Sequence, residues 1–484
     1  MIQCKKVYWA LLGVMLAGCG SFQEETPITT ASEEARKLFV KGRDLYEKLR
    51  EDEARELLSK AVELDMDFAL CHYHLAECAI STIEYETHLK LAVSLASHVS
   101  DGERLIIESA RALKENDHEK ATALLEELVE LYPRDKRAYR MLGYLYRGVD
   151  EEKAIAAYET AVKLDKNYAA AYNNLGYARR RVGDYEKAID AFKKYAKLLP
   201  NEANPHDSIA DLYKKIGRYE KAIEHYEKAV SLNSAFIFSQ RKIGENLIYL
   251  ERFEQAREAL QGALGFESTP SAKLATLRLI AHSYVFEGKP NMALAKLDDG
   301  VEMSRAALLP EWESHFLQDK AMLLLDGGEF EGALKCLEEG RSSVILSELS
   351  SDWQEEFFNK TLYLQALTNA KAKDFKRANA ITDLLESRVE NSKNAADARR
   401  LQGLMGVVCA AQDLHDIAIM HFEQTNQDDP YILYHWAQCE AQYGNNDKAI
   451  PLFRKVADWN EASMEYALVR KKAQNALRSE IQSD

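Results

Sequence analysis

The chain has 484 residues, a formal net charge of −15, 46% hydrophobic and 29% charged residues, and only 9 Pro. It carries enough apolar side chains to bury extensive cores, and its acidity argues against a general nucleic-acid surface, which needs a basic footprint. The 7 Cys are odd in number and scattered, which argues against a disulfide framework.

The first predicted element is a leader. Lys5 and Lys6 precede an apolar run, Val7–Ala17, too short to span a bilayer permanently, and the run ends in Leu16-Ala17-Gly18-Cys19. A basic flank with a short apolar core reads as an export signal over 1–18. Its ending resembles a bacterial lipobox, and the resemblance implies lipidation of Cys19. Gly20 and Ser21 follow with no Asp. By the same resemblance this implies sorting to the outer membrane of a cell envelope, facing the periplasm or surface. Residues 19–31, polar with Pro27 and no periodicity, read as the lipidated Cys and a flexible tether.

From residue 32 a helical pattern takes over. Gly42, Ala54, Leu58 and Ala61 mark a first helix-turn-helix unit. Ala76 marks a second, with His88 where a small residue is expected, and Ala121, Leu125 and Pro133 mark a third over 102–135. The fourth has Tyr139, Leu142, Gly143, Tyr146, Ala154 and Tyr158. The fifth, 169–202, is the most regular, with Tyr172, Leu175, Gly176, Ala188, Phe192 and Pro200, and a turn at Gly183-Asp184. At a spacing of about 34 residues, Gly176, Gly183, Ala188 and Phe192 are followed by Ala210, Gly217, Ala222 and Tyr226, then by Gly244, Glu251, Ala256 and Leu260. Small residues at such places let two helix backbones approach, and the larger ones fill the space beside them.

The pattern then loosens. Ala281, Gly288, Ala293 and Leu297 form a unit, Ala321, Gly328, Ala333 and Leu337 the next, with extra residues around Ser304–Trp312. A second insertion, 341–358, precedes Ala366, Phe375 and Ala378; Gly406, Ala418, Phe422 and then Ala437, Gly444, Ala449, Phe453 continue the series. Within 459–484, Glu461–Ile481 is a predicted helix with an apolar stripe at Met464, Ala467, Leu468, Ala473 and Leu477, the polar-faced cap an open stack requires.

Tyr172, Leu175, Gly176, Ala188, Phe192 and Pro200 resemble the signature of the tetratricopeptide repeat (TPR) family. The implied fold is all-α, a right-handed superhelical TPR solenoid of about a dozen helix-turn-helix repeats with a C-terminal capping helix. Residues 32–303 form its regular array and 304–458 an irregular array with insertions. In that family the first helices line a concave groove. Carrying the groove places over gives Arg137, Arg140, Tyr144 and Arg147, then Asn173, Tyr177 and Arg180, then Lys214, then Arg241. Arg forks bind carboxylates in pairs of bonds, Tyr supplies rigid contact area and Asn pairs with an extended backbone. The expected partner is a protein offering an acidic extended segment or a chain terminus.

No nucleophile elbow, P-loop, Gly-rich dinucleotide loop or paired-Cys motif occurs, so no catalytic residue, cofactor or enzymatic activity is expected. Cys71, His74 and Cys78 share one helical face, as metal ligands would, but the two Cys take core places of the repeat, so no metal is expected. The expected function is a membrane-anchored protein-interaction scaffold or adaptor of the bacterial envelope, touching the membrane through its lipid alone. The alternative is a glycan- or nutrient-binding surface lipoprotein, for which Trp312 and Trp353 are the candidate stacking platforms.

Overall fold

The structure is a computed structural model describing residues 25–481 apart from 235, 348, 393, 394 and 426. The leader and Cys19 lie outside the described residues. All regular structure among the described residues is helical, and the chain divides into two compact units, one ending at Leu212 and one beginning at Tyr213.

In the first unit, five hairpins follow in order. They are α1 (Glu33–Tyr46) with α2 (Glu51–Leu64), α3 (Ala69–Glu77) with α4 (Thr82–Leu95), α5 (Asp101–Lys114) with α6 (His118–Leu131), α7 (Lys136–Tyr146) with α8 (Glu151–Leu164), and α9 (Ala169–Arg181) with α10 (Tyr185–Leu198). α11 (Asn204–Lys215) comes next. The second unit continues with α12 (Tyr219–Leu232). Its hairpins are α13 (Ile237–Tyr249) with α14 (Phe253–Phe266), α15 (Pro270–Glu287) with α16 (Pro290–Ala306), α17 (Pro310–Asp326) with α18 (Phe330–Ile345), α19 (Ser351–Lys371) with α20 (Phe375–Ser392), α21 (Ala395–Ala411) with α22 (His415–Phe422), and α23 (Pro430–Gln442) with α24 (Asn446–Ala457). α25 (Met464–Ile481) ends the series. Within each unit the second helix of a hairpin packs on the first helix of the next, as in a TPR-type stack.

Local chemistry explains the hairpins. Asp117, Asp150 and Asp184 each accept a hydrogen bond from the amide three residues on, satisfying a donor at the start of α6, α8 and α10. The turn before α10 is left-handed at Gly183, with φ 78°. Glu251 holds the equivalent place before α14 with φ 59°, so the register survives where the glycine does not. At the crossings Ala154, Ala188, Ala222 and Ala256 are fully buried beside Tyr158, Phe192, Tyr226 and Leu260. A Cβ on Gly143 would lie 2.7 Å from the Tyr158 ring, which is why a side chain is missing there.

The irregular spacing has a simple cause. Residues around 304–312 and 341–358 lengthen helices: α16 and α17 have 17 residues each, α18 has 16 and α19 has 21, against 14 in α8. The longer helices begin with α15, of 18 residues, and the expected boundary at 303–304 falls within α16; the division in compactness falls at Leu212. The second repeat needs its register corrected. Leu89 and Ala92 are the buried residues of α4, in step with Leu125 and Leu128 of α6, so Tyr85 rather than His88 takes the small-residue place.

The stretch expected to be a tether is bonded into the first unit over its described part. The Thr26 amide donates to Asp135 at 3.0 Å, the Thr29 amide to Glu103 at 2.7 Å and the Ala31 amide to Asp65 at 2.8 Å. At the other end, α25 packs on α24 and also against α15, α17 and α23. Among the described residues no helix is long and apolar enough to cross a membrane.

Candidate functional site

The first unit contains a cavity of about 320 Å³ lined by α1, α3 and α7, with Thr26 from the N-terminal segment on its wall. It takes Arg43 and Tyr46 from α1 and Glu47 just after it, His74 and Glu77 from α3, and Arg137, Arg140 and Tyr144 from α7. α7 is aimed by its N-cap: Asp135 accepts from the amides of Arg137 at 2.8 Å and Ala138 at 3.3 Å while also holding Thr26.

Two of the three arginines are tied down. Arg137 Nε donates to Glu47 at 2.7 Å, and Arg140 Nε donates to the Tyr168 hydroxyl at 2.7 Å; that hydroxyl donates to Glu47 at 3.2 Å. Arg43 differs. Its guanidinium lies 5.4 Å from the Phe39 ring centroid, and its buried Nε has no hydrogen-bond partner among the described residues. The Nδ1 of His74 is likewise buried and unpartnered, with the ring edge-on to Phe39, Tyr46 and Tyr73. Burial, and then the charges of Arg43, Arg140 and Arg137, hold the His74 imidazole far below its ordinary pKa, so it is neutral. Glu77 reaches solvent through the cavity, and the protein packed around it raises its carboxyl pKa, opposed by a 3.3 Å hydrogen bond from Tyr46 and the charge of Arg140. The wall thus places a guanidinium, whose Nε has no hydrogen-bond partner among the described residues, with a neutral imidazole.

The other expected groove residues fall elsewhere. Tyr144 is 51% exposed and carries the Arg147 guanidinium 4.3 Å from its ring centroid. Asn173 and Tyr177 both bond the Ser208 hydroxyl at 3.2 Å, and Arg180 stacks over Tyr177 at 5.6 Å, making a separate α9 cluster. Lys214 and Arg241 belong to the second unit and are paired there, with Glu245 at 2.7 Å and Glu267 at 3.6 Å. Trp312 and Trp353 are half-buried; Trp353 stacks on Phe357 at 5.7 Å, and both rings flank His315. Phe357 covers one face of Trp353, whereas Trp312 lines a cavity of about 320 Å³ with Phe238, Arg241 and Arg278. Cys71 donates to the Leu58 carbonyl at 3.3 Å, and burial pushes the Cys78 thiol up to about 12, so both pack as protonated thiols.

Arg43, Tyr46 and Glu77 were not among the expected residues, yet the repeat frame points to them. Gly42 corresponds to Gly176, so Arg43 takes the groove place of Tyr177 and Tyr46 that of Arg180; Glu77, after Ala76, takes the same place as Arg43. His74 holds no groove place and carries no such signal.

Residues 167–235 match the family model described as Tetratricopeptide repeat. No curated protein matches the sequence. Solved structures similar to the chain include a MamA protein, 24% identical over 34% of this chain and 92% of its own, with a TM-score of 0.32. YrrB, described as a TPR protein with an unusual peptide-binding site, is 19% identical over 38% of this chain and 94% of its own, with a TM-score of 0.31. A tetratricopeptide repeat protein from Parabacteroides merdae ATCC 43184 is 15% identical over 54% of this chain and 99% of its own, with a TM-score of 0.40. The matched stretch is tetratricopeptide repeat sequence, and the same glycine- and alanine-mediated hairpin crossings continue on both sides of it, so the chain has a TPR-type all-α fold.

Proposed function

We propose that the protein is a protein-interaction scaffold of the bacterial envelope, lipid-anchored through Cys19, whose first unit receives an extended partner segment carrying a carboxylate. The observation that supports this reading is the pair of buried, unpartnered nitrogens on one cavity wall, Arg43 Nε and His74 Nδ1. Leaving the Arg43 Nε–H unsatisfied costs about 1–3 kcal/mol, a cost an incoming carboxylate removes, and the His74 ring bonds the same group in the tautomer that protonates Nδ1. Tyr144 adds an exposed aromatic face at the cavity margin.

The test is cross-linked affinity capture from intact cells, comparing the parent with Arg43→Glu and Tyr144→Ala. A protein recovered by the parent and lost from Arg43→Glu supports the reading; equal recovery by all three places the binding surface elsewhere. The anchor has its own test. Radiolabelled palmitate should enter the parent and not Cys19→Ala, and labelling unchanged by the substitution would remove the lipoprotein part of the proposal.

A further inference from the structure

α25 does more than follow α24. Over its first two turns Met464, Tyr466, Ala467, Leu468 and Val469 are buried and Glu465 and Arg470 half-buried, a run that leaves almost no face to water before the exposed Lys471 and Lys472. A terminal cap buries one stripe; a helix lying inside a concave surface is enclosed. The contacts show what encloses it. The Tyr466 ring sits 5.4 Å from Phe286 of α15 and 6.5 Å from Tyr249 of α13. Arg470 Nη2 donates to the Tyr249 carbonyl at 2.8 Å, at the C-terminal end of α13 where a cation is favoured. Glu465 accepts from Lys360 of α19 at 2.8 Å, and Lys472 pairs with Asp326 of α17. Four first helices of successive hairpins, α13, α15, α17 and α19, therefore converge on one helix.

We propose that the inner face of the second unit is a receptor for an amphipathic helix and that α25 is its built-in occupant, replaced by a partner helix bearing the same anchors. The anchors are a carboxylate at the Glu465 place, an aromatic ring at Tyr466, aliphatic side chains at Leu468 and Val469, and a guanidinium at Arg470. The carboxylate sets specificity. Departure of α25 removes Glu465, which is paired with Lys360 at 2.8 Å, and leaves Asp429 as the remaining carboxylate near that ammonium, so a replacement helix with a carboxylate at the Glu465 place restores the lost ion pair. The link 458–463 is itself bonded, Asn460 Nδ2 donating to the Lys215 carbonyl at 2.8 Å and the Ala462 amide to Glu245 at 3.3 Å, so exchange of α25 opens these two bonds as well.

The full-length chain tests this in two ways. In hydrogen exchange, α25 amides should exchange at least tenfold faster than those of α15 and α17, through an opening that leaves the second unit folded; equal protection overturns the proposal. In the second measurement, a fluorescein-labelled peptide of residues 459–481 is titrated into the parent and into Tyr466→Ala/Arg470→Glu, whose own α25 is weakened. The variant should bind the peptide at least tenfold more tightly than the parent, and a peptide carrying the same two substitutions should not bind. A variant that keeps the parent's helical signal and takes up no peptide overturns the proposal. A variant that loses its fold leaves the exchange measurement on the parent to decide.

Discussion

Arg140 and Tyr168 are joined by a 2.7 Å hydrogen bond that locks α7 to the start of α9, and the Tyr168 hydroxyl passes the contact on to Glu47. Burial opposes the Arg140 charge, but Tyr168 and Glu47 outweigh it and hold the guanidinium firmly protonated. Arg140 is thus a structural strut in the cavity wall. Tyr168→Phe should cost about 1–3 kcal/mol, because it removes the one bond given to Arg140 Nε while leaving the guanidinium enclosed. Arg180→Ala should stay within about 0.5 kcal/mol, since that side chain only stacks over Tyr177. Urea denaturation midpoints of the two variants check the contrast; similar midpoints would mean the network contributes little.

The hairpin crossings make a second expectation. Ala188 is 0% exposed where α9 and α10 cross, and Ala188→Leu should cost about 1–3 kcal/mol by overpacking. Gly262, within α14, has open space where a Cβ would go, so Gly262→Ala should stabilise by up to about 1 kcal/mol through helix propensity. Thermal melts of both variants should move in opposite directions.

These crossings were legible in the sequence because they are set by short-range chemistry. Gly176 and Phe192, or Ala188 and its neighbours, lie within one hairpin, and the pattern repeats. The groove places follow from the same frame, which is why Arg137, Arg140 and Tyr144 do meet in one cavity. What the frame does not carry is pairing across many residues. Thr26 bonds Asp135, 109 residues away, and nothing in a polar stretch with Pro27 distinguishes that from a solvated tether. The same holds for Arg137, whose Glu47 partner lies 90 residues earlier. α25 shows the limit most clearly. Its apolar stripe specifies that it must be covered, whereas the surfaces covering it come from helices far back in the chain.

The last expectation concerns pH. His72 and His88 stack with their Nδ1 atoms 3.1 Å apart, and His72 Nε2 faces the Met66 carbonyl at 3.1 Å. A carbonyl only accepts, so Nε2 of His72 carries its proton, its Nδ1 accepts, and His88 Nδ1 donates. This arrangement requires His72 to be neutral, and charging it puts two donors face to face. Both pKa values are lowered: His72 by burial, against the pull of Met66, Asp65 and Asp67, and His88 by burial and then by His72, against Glu84. For a base whose folded pKa is depressed, the unfolded chain takes up protons first. Stability is therefore full above the unfolded value of about 6.5 and falls as pH drops through the folded values. The melting temperature of the first unit should decline on acidification from pH 7 to 5. His88→Asn, which keeps an N–H for His72 and removes one titrating ring, should flatten that decline. Parallel melting-temperature profiles for parent and variant over this range would show that the pair does not couple folding to pH.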